Sequence, residues 1–149
     1  MVVLGTIWRS FMKFNRFNHS RRGSESAEMV IALPVLLIVI FAGFEYGWAA
    51  LKSIQMDHAA RVGARVAALS GSTSADVENK INAALFNSGI VGATLTLTPQ
   101  DPSTAPLGTP ITVLIQTDYS NVQLLGLSRM MPLPAVLKGR ASMVKEPEP

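Results

Sequence analysis

MVIALPVLLIVIFAGF, residues Met29–Phe44, runs for sixteen positions without a charge. Wound as a helix, it rises about 24 Å, less than the roughly 30 Å hydrocarbon core of a bilayer. Past Glu45 the apolar sequence resumes as YGWAAL, and Lys52 ends it. Counted over 29–51 the stretch has twenty-three residues, enough to cross a membrane. Glu45 is then expected as an interface acid, its carboxylate reaching water or headgroups. The same carboxylate at mid-bilayer would cost about 2.5–3.5 kcal/mol. Tyr46 and Trp48 suit the aromatic belt of that interface. Pro34 falls inside the run, where membrane helices tolerate it with a kink.

The flanks orient this segment. Residues 1–23 carry Arg9, Lys13, Arg16, Arg21 and Arg22 with no acid, a charge of +5. Residues 24–149 hold eight basic and ten acidic side chains, a balance of −2. The overall +3 therefore belongs to a short basic leader, which the positive-inside rule places in the cytoplasm. The chain from Lys52 onward then lies outside. A cleaved secretory signal would have an apolar region of about 7–15 residues closed by small residues. Here the basic segment is long and helical sequence continues past the membrane. Charged residues make up only 15%, against about 25% for globular chains, which excludes a disordered charged tail. The absence of cysteine excludes disulfide scaffolds, cysteine-bound zinc and iron–sulfur sites. Two histidines, His19 and His58, are too few for most histidine metal sites.

Where leader meets membrane segment, the sequence reads Arg21-Arg22-Gly23-Ser24-Glu25-Ser26-Ala27-Glu28. Gly23 offers a flexible backbone that a protease could hold extended. A glutamate at the membrane edge is costly alone and is stabilised by a neighbouring amine. This junction resembles the processing site of the type IV pilin superfamily. There a membrane-embedded prepilin peptidase cuts after glycine, and glutamate stands fifth in the mature chain. A cut between Gly23 and Ser24 puts Glu28 at that fifth position.

More narrowly, the chain resembles the TadE-like minor pseudopilins of the tight-adherence (Flp) pilus system. The residues carrying the likeness are Arg22-Gly23, Glu28, the early Pro34, Glu45-Tyr46-Gly47 and Ala59-Ala60-Arg61-Val62-Gly63-Ala64-Arg65. The match is close over residues 21–69 and one of pattern only beyond Leu69. The resemblance implies a single-pass protein of the bacterial inner membrane, with its C-terminal domain periplasmic or extracytoplasmic. Its implied partners are the prepilin peptidase, other pilin-like subunits of an adhesion and secretion machinery, and inner-membrane lipid. The alternative is an unprocessed single-pass protein whose outer domain scaffolds an envelope or secretion complex.

Lys52–Leu69 is rich in alanine and extends the membrane helix outward. Asp57 and Arg61 stand at a favourable helix spacing. Gly43 and Gly47, Ala60 and Ala64, and Gly63 and Ala67 recur every four residues, which allows close helix approach. Two packing partners fit that pattern, other pilin-like helices or the protein's own globular domain. His58, beside Asp57 with no second ligand at suitable spacing, reads as a surface residue.

Ser70-Gly71-Ser72 breaks the helix. Thr73 or Ser74 can cap a second one, in which Val77, Ile81, Ala84 and Leu85 share a face and Gly89 is the stop. Ala93–Thr98 alternates apolar residues with threonine, a strand signature. A proline-rich loop follows, then strands over Ile111–Tyr119 and Val136–Val144. The loop at 120–135 exposes Leu124, Leu125, Met130 and Met131 as a partner contact, or packs them back onto the domain.

The expected fold is α+β. A basic leader (1–23) precedes a long pilin-like helix (24–69) whose transmembrane part is 29–51. A small domain (72–145) of one helix on a short antiparallel sheet of about three strands follows, with a polar tail at 146–149. A domain this small is marginal alone, so the alanine-rich helix is expected to cover the sheet. The chain has no phosphate-binding glycine loop, HExxH or nucleophile elbow. An enzyme, a cofactor, a metal site, a nucleic-acid partner and a small-molecule substrate are therefore not expected.

Overall fold

The computed structural model describes residues 22–127 and 131–147, with side chains from Ser26 onward. The leader 1–21, including His19, and Met130 lie outside the described residues. The chain divides into two compact units, Met1–Leu37 and Ile38–Pro149. Helix α1, Arg22–Ala68, contains Pro34 and is the first element. Its part in the first unit bears exposed apolar side chains, with Val30 and Ile31 both 73% exposed.

The second unit is α+β. It contains the rest of α1, helix α2 (Ser74–Asn87), and strands β1 (Thr94–Thr98), β2 (Pro110–Asp118) and β3 (Val136–Val144). The strands form one antiparallel sheet in the order β1-β2-β3. Alternation along β2 buries Ile111, Val113, Ile115 and Thr117 on one face. Leu95 and Leu97 of β1 stand opposite Ile115 and Val113, so the threonines of β1 face outward.

Local chemistry sets the limits of α2. Thr73 is its N-cap, accepting from the Asp76 N–H, while the Asp76 side chain accepts from the Thr73 N–H, a reciprocal capping box. At the other end the Ile90 N–H reaches Leu85 O and the Gly89 N–H reaches Phe86 O. This Schellman closure needs the positive φ of 63° that glycine adopts freely.

The core lies between the sheet and two helices. Met56, Ala60, Ala64 and Ala67 of α1 meet Val77, Ile81 and Leu85 of α2 and the buried face of β2 in one apolar cluster. Each large aliphatic side chain buried there contributes roughly 1.5–3 kcal/mol. Gly63 sits against Ile81, and Gly139 of β3 sits against the backbone of Met56 and Asp57, with no room for a Cβ at either. The sheet therefore touches the α1 backbone directly. Asp57 Oδ1 accepts the Arg140 N–H at 3.1 Å, so its carboxylate binds the backbone of β3. Lys145 folds back to donate to Leu69 O at 2.7 Å, and the Glu146 N–H donates to Ala68 O, satisfying carbonyls at the end of α1.

Candidate functional site

Two places gather the residues singled out by sequence. The first is the junction at the start of α1. Gly23 and Ser24 have helical backbone within α1, not extended chain. Glu28 is exposed one turn further on. From Met29 to Phe44 every residue is exposed except the half-buried Ala42.

The second place is Glu45. The expectation that its carboxylate reaches water or headgroups is corrected: Glu45 is 0% exposed within the second unit. The Tyr119 hydroxyl donates to Oε1 at 2.7 Å, and the Leu125 N–H donates to Oε2 at 2.8 Å. A buried carboxylate is tolerable only when its oxygens are satisfied, and here each oxygen has a donor. Burial first, then the hydrogen bond to Glu45 and its charge, push the Tyr119 phenol well above its usual range. Tyr119 therefore remains a donor.

The neighbours of Glu45 bind the same loop. Trp48 Nε1 donates to Val122 O at 2.7 Å, and the Tyr46 hydroxyl donates to Pro132 O at 3.1 Å. The two aromatics expected in a lipid belt thus spend their polar atoms on the loop between β2 and β3. Lys52, which ends the apolar stretch in sequence, is buried. Its Nζ donates to Ser88 O at the end of α2 and lies 4.7 Å from the Trp48 ring centre. The expected membrane part 29–51 therefore carries protein-covered positions at Glu45 and Ala49, with Lys52 buried just beyond it, and its stretch free of buried residues ends at Phe44.

The small residues separate into two groups. Ala60, Gly63, Ala64 and Ala67 face the protein's own α2 and sheet. Gly43 and Gly47 are exposed, with nothing within 4 Å of where a Cβ would stand. His58 is exposed. Tyr119 and Gly139 escaped sequence reasoning. For Tyr119 a signal existed: an acid inside an apolar helix needs a donor, and the chain has only two tyrosines.

Among the described residues one helix is long and apolar enough to cross a membrane, which, with the α+β unit that follows, makes this a candidate single-pass membrane protein. Residues 23–65 match the family model described as TadE-like protein. That segment opens on the junction glycine and closes on Arg65, covering Glu28, Pro34, Glu45 and the Ala-Arg-rich segment. No curated protein and no solved structure matches the chain.

Proposed function

We propose that this chain is a minor pseudopilin-like subunit that assists assembly of a tight-adherence (Flp) pilus. It is held in the bacterial inner membrane by α1, with the N-terminus cytoplasmic and the α+β unit outside. A prepilin peptidase cuts after Gly23, making Ser24 the new N-terminus and Glu28 the fifth residue. A neighbouring subunit's amine then neutralises Glu28 at the membrane edge. The open faces of Gly43 and Gly47 let another pilin-like helix approach closely.

The observation that carries this reading is the family match over 23–65, which coincides with the junction and the exposed apolar helix behind it. The test is the N-terminal mass of the membrane-extracted protein. A chain starting at Ser24 is expected, and Gly23→Ala is expected to slow the cut while leaving insertion intact. An intact Met1 end in cells with active prepilin peptidase overturns the processing step.

The helical backbone at Gly23 and Ser24 favours a second reading, because a peptidase takes its substrate in extended form. In it the chain stays unprocessed and its outer unit scaffolds an envelope or secretion complex. The same mass measurement separates the two.

A further inference from the structure

We propose that the loop between β2 and β3 is a membrane-surface anchor, with Leu124 and Leu125 dipping into the lipid interface beside the emerging helix.

Three observations within the second unit lead there. First, Leu124 and Leu125 are large apolar side chains 47% and 46% exposed, side by side at a loop tip closed by Gly126 at a φ of 74°. Adjacent exposed leucines on a water-facing tip leave a patch to be covered. Second, the loop's height is fixed. The Leu125 N–H is bonded to Glu45, Val122 O to Trp48 and Pro132 O to Tyr46, all in the turn that follows Phe44. Phe41 and Phe44, just before that turn, are 44% and 60% exposed. The loop tip therefore continues the apolar surface of the helix sideways, at the level where that surface ends. Third, Tyr119–Leu137 contains a single charged residue, Arg129. A nearly uncharged segment meets little penalty in the headgroup region.

Lipid is the occupant favoured by this continuity. The same layer explains why Glu45 is sealed: the Tyr119 hydroxyl and the Leu125 N–H replace the water that a carboxylate loses near hydrocarbon. The proposal rests on the reading that α1 spans the membrane.

The chain has no cysteine, so single cysteines report one position each. The full-length protein carrying Leu124→Cys, labelled with an environment-sensitive fluorophore, is placed in phosphatidylethanolamine–phosphatidylglycerol vesicles. Some vesicles contain lipid spin-labelled near the headgroup. Two further variants bracket it. Leu36→Cys lies within the apolar run. Leu107→Cys is an exposed leucine beside Gly108, which bonds Lys145 near the far end of α1. That end is about 35 Å along the helix from Glu45.

The expected result is a blue shift and loss of emission at position 124, with position 107 unaffected. Position 36 responds to spin label carried deep on the acyl chain. If 36 responds and 124 behaves like 107, the anchor is overturned while the span stands. A label at 124 shielded from iodide yet untouched by spin-labelled lipid means that protein covers the patch, which also overturns the proposal. If 36 does not respond, the span fails and the anchor with it. Leu125→Cys repeats the measurement should Leu124→Cys lose the protease resistance of the native unit.

Discussion

Glu45 is the residue on which the lower part of the α+β unit turns. Both of its oxygens are taken by donors from the loop after β2, 74 and 80 positions away in sequence. Removing the carboxylate leaves the buried Tyr119 hydroxyl only the Glu45 carbonyl at 3.4 Å, a loss of about 1–3 kcal/mol. Glu45→Ala is therefore expected to lower the unfolding midpoint of the detergent-solubilised protein and to speed proteolysis within 122–133. Glu45→Gln keeps one carbonyl oxygen for Tyr119 and should lose less in both measurements. Asp76 offers a second test at this scale. The Thr73 hydroxyl, followed by the Thr73 N–H, holds its carboxyl below the ordinary value of 3.8. A lowered folded value means the cap is complete above the ordinary value and is lost as pH falls through the folded one. Amide exchange at Thr73, corrected for its intrinsic rate, should accelerate on acidification below about pH 4. In the Asp76→Asn variant that acid-dependent acceleration should vanish.

Among the elements, the decisive contact is strand on helix. Gly139 brings β3 against the α1 backbone at Met56 and Asp57, and backbone cannot swing aside as a side chain does. Gly139→Ala should therefore cost about 1–3 kcal/mol through forced separation of strand and helix. Gly43→Ala, on an open face of the same helix, should leave the unfolding midpoint unchanged or slightly raised. Equal losses in the two variants would show that the loss comes from glycine's flexibility and not from the strand-on-helix contact. The individual elements were legible because their signals are local. Alternating threonines marked β1, and Thr73 with Gly89 bracketed α2. The end of the exposed apolar surface was not legible. Hydropathy reads through Glu45 to Leu51, whereas the packing of Glu45, Trp48 and Lys52 depends on residues 36 to 80 positions away.

On the scale of the whole molecule, charge and exposure divide the chain. The +5 leader belongs to the cytoplasmic side in the proposed topology, and the −2 remainder works outside it. That topology predicts that Ser103→Cys, on an exposed turn, reacts with a membrane-impermeant maleimide added to intact spheroplasts. Labelling only after lysis would reverse the orientation. By itself the sequence determined what periodicity, composition and local caps encode. These are a long apolar helix, a capped second helix, three strands, a basic leader and a glycine–glutamate junction. Tertiary structure alone decided which surface each small or polar residue serves. Ala60, Gly63, Ala64 and Ala67 pack on their own domain, while Gly43 and Gly47 stay open. The Glu45 carboxylate passed from one expected to reach water or headgroups to a buried hydrogen-bond acceptor. The reason is physical: spacing along a helix fixes which residues share a face, but what covers that face depends on strands and loops distant in sequence.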